Sequence, residues 1–198
     1  MNQRFWLSGM IAGILAASLF AADTYKLDLA HSSVAFSVRH MVITNVRGNF
    51  KDFEGTVLYD PADVTKSSVE VTIKTASIDT DNSQRDTHLS SPDFFDAEKF
   101  PKITFRSKKI THTGGEKFKL LGDLTIKETT RDLTLDVTYE GENKDPWGNI
   151  RRAFTADASF NRKDFGLNWN VALEAGGWLV AEQVKIHIEL EVIGQADA

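Results

Sequence analysis

Val184-Lys185-Ile186-His187-Ile188-Glu189-Leu190-Glu191-Val192 alternates apolar and polar side chains without a break. In an extended strand successive side chains point to opposite faces, so this run has one dry face and one wet face. The same period returns upstream in Val34, Phe36 and Val38, in Val69, Val71 and Ile73, in Leu133, Leu135, Val137 and Tyr139, and in Phe154, Ala156 and Ala158. Shorter versions are Ile103 with Phe105 and Phe118 with Leu120. Turn signals divide these runs at Asp60-Pro61, Gly114-Gly115, Gly141 through Pro146, and Gly176-Gly177. The links are mostly short, which predicts about eight antiparallel strands joined by hairpins. Such a sheet must cover its dry face, either by folding onto a second sheet or by closing into a barrel. Eight strands is about the size at which a closed barrel either fills with its own side chains or holds one small ligand.

One stretch breaks the rhythm, Asp79 to Pro101, DTDNSQRDTHLSSPDFFDAEKFP. Its Asp, Asn and Ser residues suit helix N-caps, and Ser91-Pro92 followed by DFFDAEKF resembles a short capped helix. The expected feature is a short helical insertion around residues 83–100, acting as a lid or plug held by Phe94, Phe95 and Phe100. Asp79-Thr80-Asp81-Asn82-Ser83 also begins like a calcium loop. Gln84 then stands where that loop needs Gly and Ser90 where it needs a bidentate Glu, so helix capping is the better account.

The chain has 198 residues, no Cys, 13 Phe and a formal net charge of −5. That length suits a single domain with its own core. Absence of Cys excludes disulfides, thiol nucleophiles and Cys-based zinc sites. The acidic balance gives no electrostatic reason to bind nucleic acid, and no phosphate-cradling glycine pattern is present.

Neither a GxSxG elbow nor an SxxK pair occurs, and Asp132, Asp136, Glu189 and Glu191 alternate with apolar residues as a solvated outer face should. A metal site would require His31, His40 and His88 to converge, since no zinc-ligand spacing is present; the expectation is no metal and no cofactor. His112 and His187 read as solvated. Arg85-Asp86-Thr87-His88-Leu89 is the segment richest in chemistry. It reads equally as a polar clamp at a cavity mouth, with Arg85 and His88 facing a head group, or as a structural anchor for the helical insertion.

Residues 5–22 carry no charge, Arg4 precedes them, and Ala21 and Ala22 close the run before Asp23. A basic residue, an apolar stretch and small residues at a cut site describe a secretory signal peptide over residues 1–22, leaving one domain over 23–198. Ser8, Gly9, Gly13 and Ser18 dilute the run as a membrane anchor.

Several of these motifs, taken in order, resemble the YceI-like family of exported lipid-binding proteins. The matching stretches are YKLDLAHSSVAFSVRHMVITNVRGNF (25–50), SIDTDNSQRDTHLSSPDFFDAEKFPKITF (77–105), GDLTI (122–126), DPWGNIRRAF (145–154) and NRKDFGLNW (161–169). Motif residues carried over include His31, Phe36, Arg39, His40, Gly48 and Phe50, then Arg85, Asp86, His88, Leu89, Phe94, Phe95, Pro101 and Phe105, and finally Trp147, Gly148, Arg162, Phe165 and Gly166. The resemblance implies an all-β, eight-stranded, lipocalin-like antiparallel barrel. Its apolar tunnel would take a polyisoprenoid or other long-chain lipid in the periplasm, without catalysis. The mature protein is expected to be soluble, and a homodimer stays open. In this reading Phe36, Val38, Phe105 and Phe154 line the tunnel, and Phe94, Phe95, Phe165 and Trp169 form its mouth or close one end. Arg39, His40, Arg85 and His88 choose the head group. Two departures stand out: the family usually has Gly where Glu128 and Ala153 stand, which bears on a hairpin turn and on the space beside Phe154. Two alternatives remain at this point: an extracytoplasmic, stress-related interaction module with a packed barrel, and a hydrolase acting on a lipid-like substrate.

Overall fold

A computed structural model describes residues 23–174 and 176–194; the expected signal peptide lies outside them. In chain order the elements are β1 (Asp23–Leu27), β2 (Ser33–His40), β3 (Thr44–Phe50), β4 (Phe53–Tyr59), β5 (Ser68–Lys74), β6 (Ile78–Asp79), α1 (Ser83–Ser90), β7 (Lys102–Gly114), β8 (Lys117–Ile126), β9 (Thr129–Lys144), β10 (Ile150–Asn161) and β11 (Val180–Gly194). Neighbours in the sheet are antiparallel throughout. β1 and β2 together form one bent stave, as do β3 with β4 and β5 with β6. β11 pairs with β10 along one edge; along the other it pairs with β2 from Val180 to Glu189 and with β1 at Val192 and Ile193. That seam closes the sheet into an eight-stave, up-and-down barrel, so the barrel rather than a two-sheet sandwich covers the dry face.

The alternating runs point as their period requires. Leu120, Leu124 and Ile126 of β8 and Leu133 and Leu135 of β9 are buried in the barrel, with Val34, Phe50, Phe53 and Ile103. Outside, Asp123 and Asp132 face each other across β8 and β9, and the Lys108 ammonium bridges the two carboxylates. Two inward positions are glycines lying directly beneath an aromatic ring on the paired strand. Gly48 sits opposite Phe36, where a Cβ would come 2.6 Å from the ring's Cζ, and Gly194 sits opposite Tyr25. Gly122, diagonal to Phe105, is covered in the same way. The missing side chain lets each ring lie flat on the wall instead of standing across the interior.

Helix α1 occupies Ser83–Ser90, where the side chain of Asn82 accepts the Arg85 amide hydrogen at 3.0 Å, the capping role read from the acidic run. The DFFDAEKF stretch, expected to be helical, forms turns instead. Ser91 is extended before Pro92 and Asp96 has φ +50, two conformations a helix cannot absorb. In the β8–β9 turn the residue with positive φ is Lys127, at +56, so Glu128 does not occupy the left-handed position. Ala153 lies between inward Arg152 and Phe154 and pairs with Glu191 on the outer face, so its methyl group does not narrow the interior.

The two ends of the barrel differ. At one end Tyr25, Val57 and Val192 pack with Tyr59, Phe154 and Leu190. Arg152 is buried among them, its guanidinium 4.8 Å from the Tyr25 and Tyr59 ring centres, bonded to the Tyr25 hydroxyl and 2.9 Å from Glu142. Burial, and then the nearby Glu142 charge, push the Tyr139 phenol up to about 12. Just outside, Arg151 binds three carboxylates: Asp28 at 2.6 Å, Asp145 at 3.0 Å, and Glu191. This knot ties the β1–β2 loop and the β9–β10 loop to β11. The His31 side chain, with Arg151 and the Ala30 amide, holds the Asp28 carboxyl down at about 2. Partial burial raises the Asp145 carboxyl, but hydrogen bonds from Asn149, Arg151 and Trp147 outweigh it and bring it to about 2 as well.

A methyl group on Gly122 would meet the Phe105 ring and the Arg106 carbonyl at 2.6 Å, and that carbonyl belongs to a paired strand. Gly122→Ala should therefore lower stability by about 1–3 kcal/mol in equilibrium urea unfolding. A second prediction concerns pH. Asp28 and Asp145 titrate lower in the folded protein than their ordinary value of 3.8, so their stabilisation is fully present above that value. It is lost as pH falls through about 2. Urea midpoints should drop across that window, and drop less in Arg151→Met, which starts from a lower midpoint at neutral pH.

Candidate functional site

At the other end the interior opens into a cavity of about 280 Å³. Residues of β3, β5, β7 and β8, such as Phe50, Ile73, Ile103 and Leu124, line its depth, and three further groups surround them. β2 and β11 supply Phe36, Val38, Val184 and Ile186 from their inward phases. The α1 region supplies Arg85, His88, Leu89, Phe94 and Phe95, and the segment after β10 supplies Arg162, Leu167, Trp169 and Leu179.

α1 is fixed over the barrel by Thr80, which is almost wholly buried. The Arg85 guanidinium donates to the Thr80 hydroxyl and carbonyl, both at 2.7 Å, while the Asp86 carboxylate accepts from the Thr80 amide at 3.0 Å and hydroxyl at 2.5 Å. The turns that follow are held by their own backbone: the Phe95 amide donates to the Leu89 carbonyl and the Ala97 amide to the Ser90 carbonyl. Phe94 and Phe95 are thereby aimed inward. Phe95 meets Phe50 edge-on at 6.1 Å, and Phe50 lies 5.8 Å from Phe36. His88 stands edge-on to both Phe94 (5.1 Å) and Trp169 (4.8 Å), with Nε2 3.1 Å from Asp93.

Arg162 is the feature that alternation should have revealed and composition concealed. Counting on from Phe154, Ala156 and Ala158, the inward phase of β10 reaches Phe160 and then residue 162. The Arg162 guanidinium is buried at the cavity wall, with the carbonyls of Ala181 (2.9 Å), Leu167 and Val180 as its acceptors. Burial without a touching carboxylate lowers its pKa. The short helical turn Arg162–Phe165 that carries it is capped by Asn161 and closed by Gly166 at φ +74.

The sequence-based site residues fall into two groups. Phe36, Val38, Phe94, Phe95 and Trp169 line the cavity, and so do all four of Arg39, His40, Arg85 and His88. Phe105, Phe154 and Phe165 lie outside this lining: Phe105 covers Gly122, Phe154 packs between Tyr59 and Tyr139 at the closed end, and Phe165 is buried against Phe160. His31 does not join His40 and His88. It bonds Asp28 beside Glu191, while His40 pairs with Val180, roughly 35 Å away along β11 at about 3.3 Å per residue. Among the described residues one trio, Asp28, His31 and Glu191, brings possible metal-ligating atoms within 4.8 Å, and the cation on its two carboxylates is Arg151.

The lining is otherwise apolar. Three arginines and two histidines face it among the described residues, with no Asp or Glu and no Ser, Thr or Lys. Chemically this is a site for a greasy chain with an electron-rich end, and its walls supply no hydroxyl nucleophile.

Comparisons with known proteins agree with this geometry. The sequence model of the YceI-like domain matches residues 25–192. A UPF0312 protein of Photorhabdus laumondii is 39% identical over 163 residues, covering 80% of this chain and 84% of its own length. Among solved structures, Burkholderia cenocepacia BcnA superposes with a TM-score of 0.72 at 30% identity, covering 83% of this chain and 98% of that one. A polyisoprenoid binding domain from Saccharophagus degradans shares the fold, with a TM-score of 0.60 at 13% identity over 86% of this chain and 98% of its own. The chain belongs to the YceI-like domain family.

Proposed function

We propose that this protein binds a polyisoprenoid or similar long-chain amphiphile inside the open end of its barrel, as a carrier or store and without catalysing a reaction on it. The observation that carries the reading is the cavity: apolar walls, an arginine and histidine fringe, and no lining carboxylate among the described residues. A packed interaction module would have filled this space with side chains. The lining offers no Ser or Thr hydroxyl for covalent catalysis among the described residues, which favours a binding site. The fold shared with a polyisoprenoid binding domain supports the same class of ligand.

The energetics suit a chain held by desolvation. Each isoprene unit buries five carbons, which at roughly 0.8 kcal/mol per carbon gives about 4 kcal/mol before ordering costs. Two buried units then reach roughly micromolar affinity, and further units offset the several kcal/mol of lost freedom. A cavity of about 280 Å³ sits at the low end of small-molecule sites, so it takes a segment of a long chain. His40, Arg85 and His88 then meet the polar end, although two of the Arg85 donors already serve Thr80, while Arg39 stays at the rim with its side chain exposed and bonded to the Val42 carbonyl. The uncharged stretch of residues 5–22 after Arg4 supports export, and we place the working protein in the periplasm, as a soluble domain.

Organic extraction of the natively exported protein, followed by mass spectrometry, should recover a prenyl or long acyl lipid. Ile186→Glu places a carboxylate in the wall and should abolish recovery while circular dichroism still reports the barrel. A wild-type protein that is consistently ligand-free and also refuses added prenols would overturn the proposal.

A further inference from the structure

The rim of the cavity carries the largest group of exposed apolar side chains in the described chain. The β2–β3 hairpin ends in Met41-Val42-Ile43, with Val42 66% and Ile43 69% exposed. The next loop adds Val171 and Trp178, also exposed. The two loops are joined through backbone: the Met41 amide donates to the Leu179 carbonyl at 2.8 Å, and the Leu179 amide to the Val171 carbonyl at 2.9 Å. Leu179 itself lines the cavity, so the exposed patch runs without a break into the apolar interior.

The tip is unusual in conformation as well as composition. Met41 and Val42 have φ of +49 and +64. Left-handed backbone is sterically poor for any residue with a Cβ and worst for a β-branched one, so Val42 stands where Gly or Asn would rest easily. The Arg39 side chain holds the turn by donating from Nε to the Val42 carbonyl at 3.0 Å. A strained turn that keeps three adjacent apolar side chains in water has no folding rationale.

Charge narrows the choice of partner. The chain as a whole is acidic, at −5. Yet Arg39 and Arg47 on the outer face of this hairpin pair with no carboxylate among the described residues, while the Lys163 ammonium, 5.8 Å over the Trp178 ring, is already paired with Glu182 at 2.6 Å. Aliphatic residues, a tryptophan and the two arginines at one end match a bilayer's interface, where the apolar groups enter the acyl boundary and the guanidinium groups meet anionic head groups. The opposite end also exposes Leu29 and Trp147, but there the interior is filled and Arg151 is already matched by three carboxylates.

We infer that the Met41–Ile43 hairpin tip and the Val171/Trp178 loop dock this barrel, mouth down, on an anionic phospholipid surface, where the lipid passes between bilayer and cavity. The inference rests on the lipid-binding reading for its purpose, but the docking itself is measured separately.

The test is sedimentation of the exported protein with vesicles containing phosphatidylglycerol, against vesicles of phosphatidylcholine alone, at low and high salt. The wild type should sediment with the anionic vesicles and be released by salt. Val42→Asn with Ile43→Asp, which keeps a residue tolerant of the left-handed turn, should weaken partition by about tenfold or more. Trp178→Ser on the second loop should weaken it in the same direction, and Trp147→Ser at the far end should leave it unchanged. In vesicle-free solution the tip variants should bind a fluorescent prenol as the wild type does, while its transfer to vesicles slows with their partition. Failure of the prenol to bind any form defeats the proposed function and leaves the docking result to stand on the sedimentation. Absence of wild-type sedimentation, or equal sedimentation of wild type and tip variants, overturns the docking. Loss of a dimer in analytical ultracentrifugation by the tip variants, without a vesicle effect, overturns it in favour of a second copy of the chain on this patch.

Discussion

The seam between β11 and the bent stave made of β1 and β2 is the interaction on which the molecule depends. A chain without Cys has no covalent means of holding a sheet closed, so closure rests on hydrogen bonds along both edges of one long strand. With the seam made, the sheet closes on itself as an eight-stave barrel, and its inward side chains share one interior. The cavity, the aromatic stack at the far end and the placement of α1 over the mouth all presuppose that closure. The Arg151 knot reinforces it where β1 leaves the barrel, since Asp28 and Glu191 stand on the two sides of the seam.

The inward phase of β10 shows how one strand divides the interior. From Arg152 through Phe154, Ala156, Ala158 and Phe160 to Arg162 it carries a cation at each end and two small residues between. Each arginine is desolvated, yet they are compensated differently. Arg152 has two tyrosine rings and Glu142, which makes it part of a packed stopper. Arg162 has backbone carbonyls alone within bonding distance, so the full guanidinium charge remains at the wall of the cavity. Only a fold that positions carbonyls this closely tolerates such a group near an apolar space.

Alternation made the barrel legible from residues such as Val34, Phe36 and Val38 or Val184 through Val192, because one face of each is dry. β3 and β4 were harder to read, since Gly48 and Gly55 occupy inward positions and contribute no hydrophobic signal of their own. Their role depends on an aromatic or aliphatic group arriving from another strand, which is a property of register and not of the local sequence. The capping residue Asn82 was legible, but the turns of residues 91–101 looked helical, because Asp96 in a left-handed conformation is a tertiary outcome. At the site, Arg39, His40, Arg85 and His88 met at one end because β2 ends where α1 begins to cross. Arg162 stands among the family-motif residues without a role, and Arg152 outside them, for the opposite reason: charge suggests the wet face, and only strict parity along β10 places both inside. Phe105 and Phe154 have the inward phase, but phase alone does not separate a packed interior from an empty one, and Phe165 sits on the turn after β10, where no strand period applies.

The stopper at the far end decides what kind of device the barrel is. Because Arg152, Tyr25 and Tyr59 fill that end, the interior is closed there among the described residues, and on the proposed reading whatever enters at the α1 end leaves by the same route in reverse order. A through-tunnel would allow an incoming molecule to push its predecessor out of the other side, and traffic would then scale with supply. On the proposed lipid-binding reading, a pocket closed at one end cannot be flushed: occupancy ends only when the resident withdraws, so each round would be one load and one delivery. For that ligand the barrel would be a vessel and not a conduit.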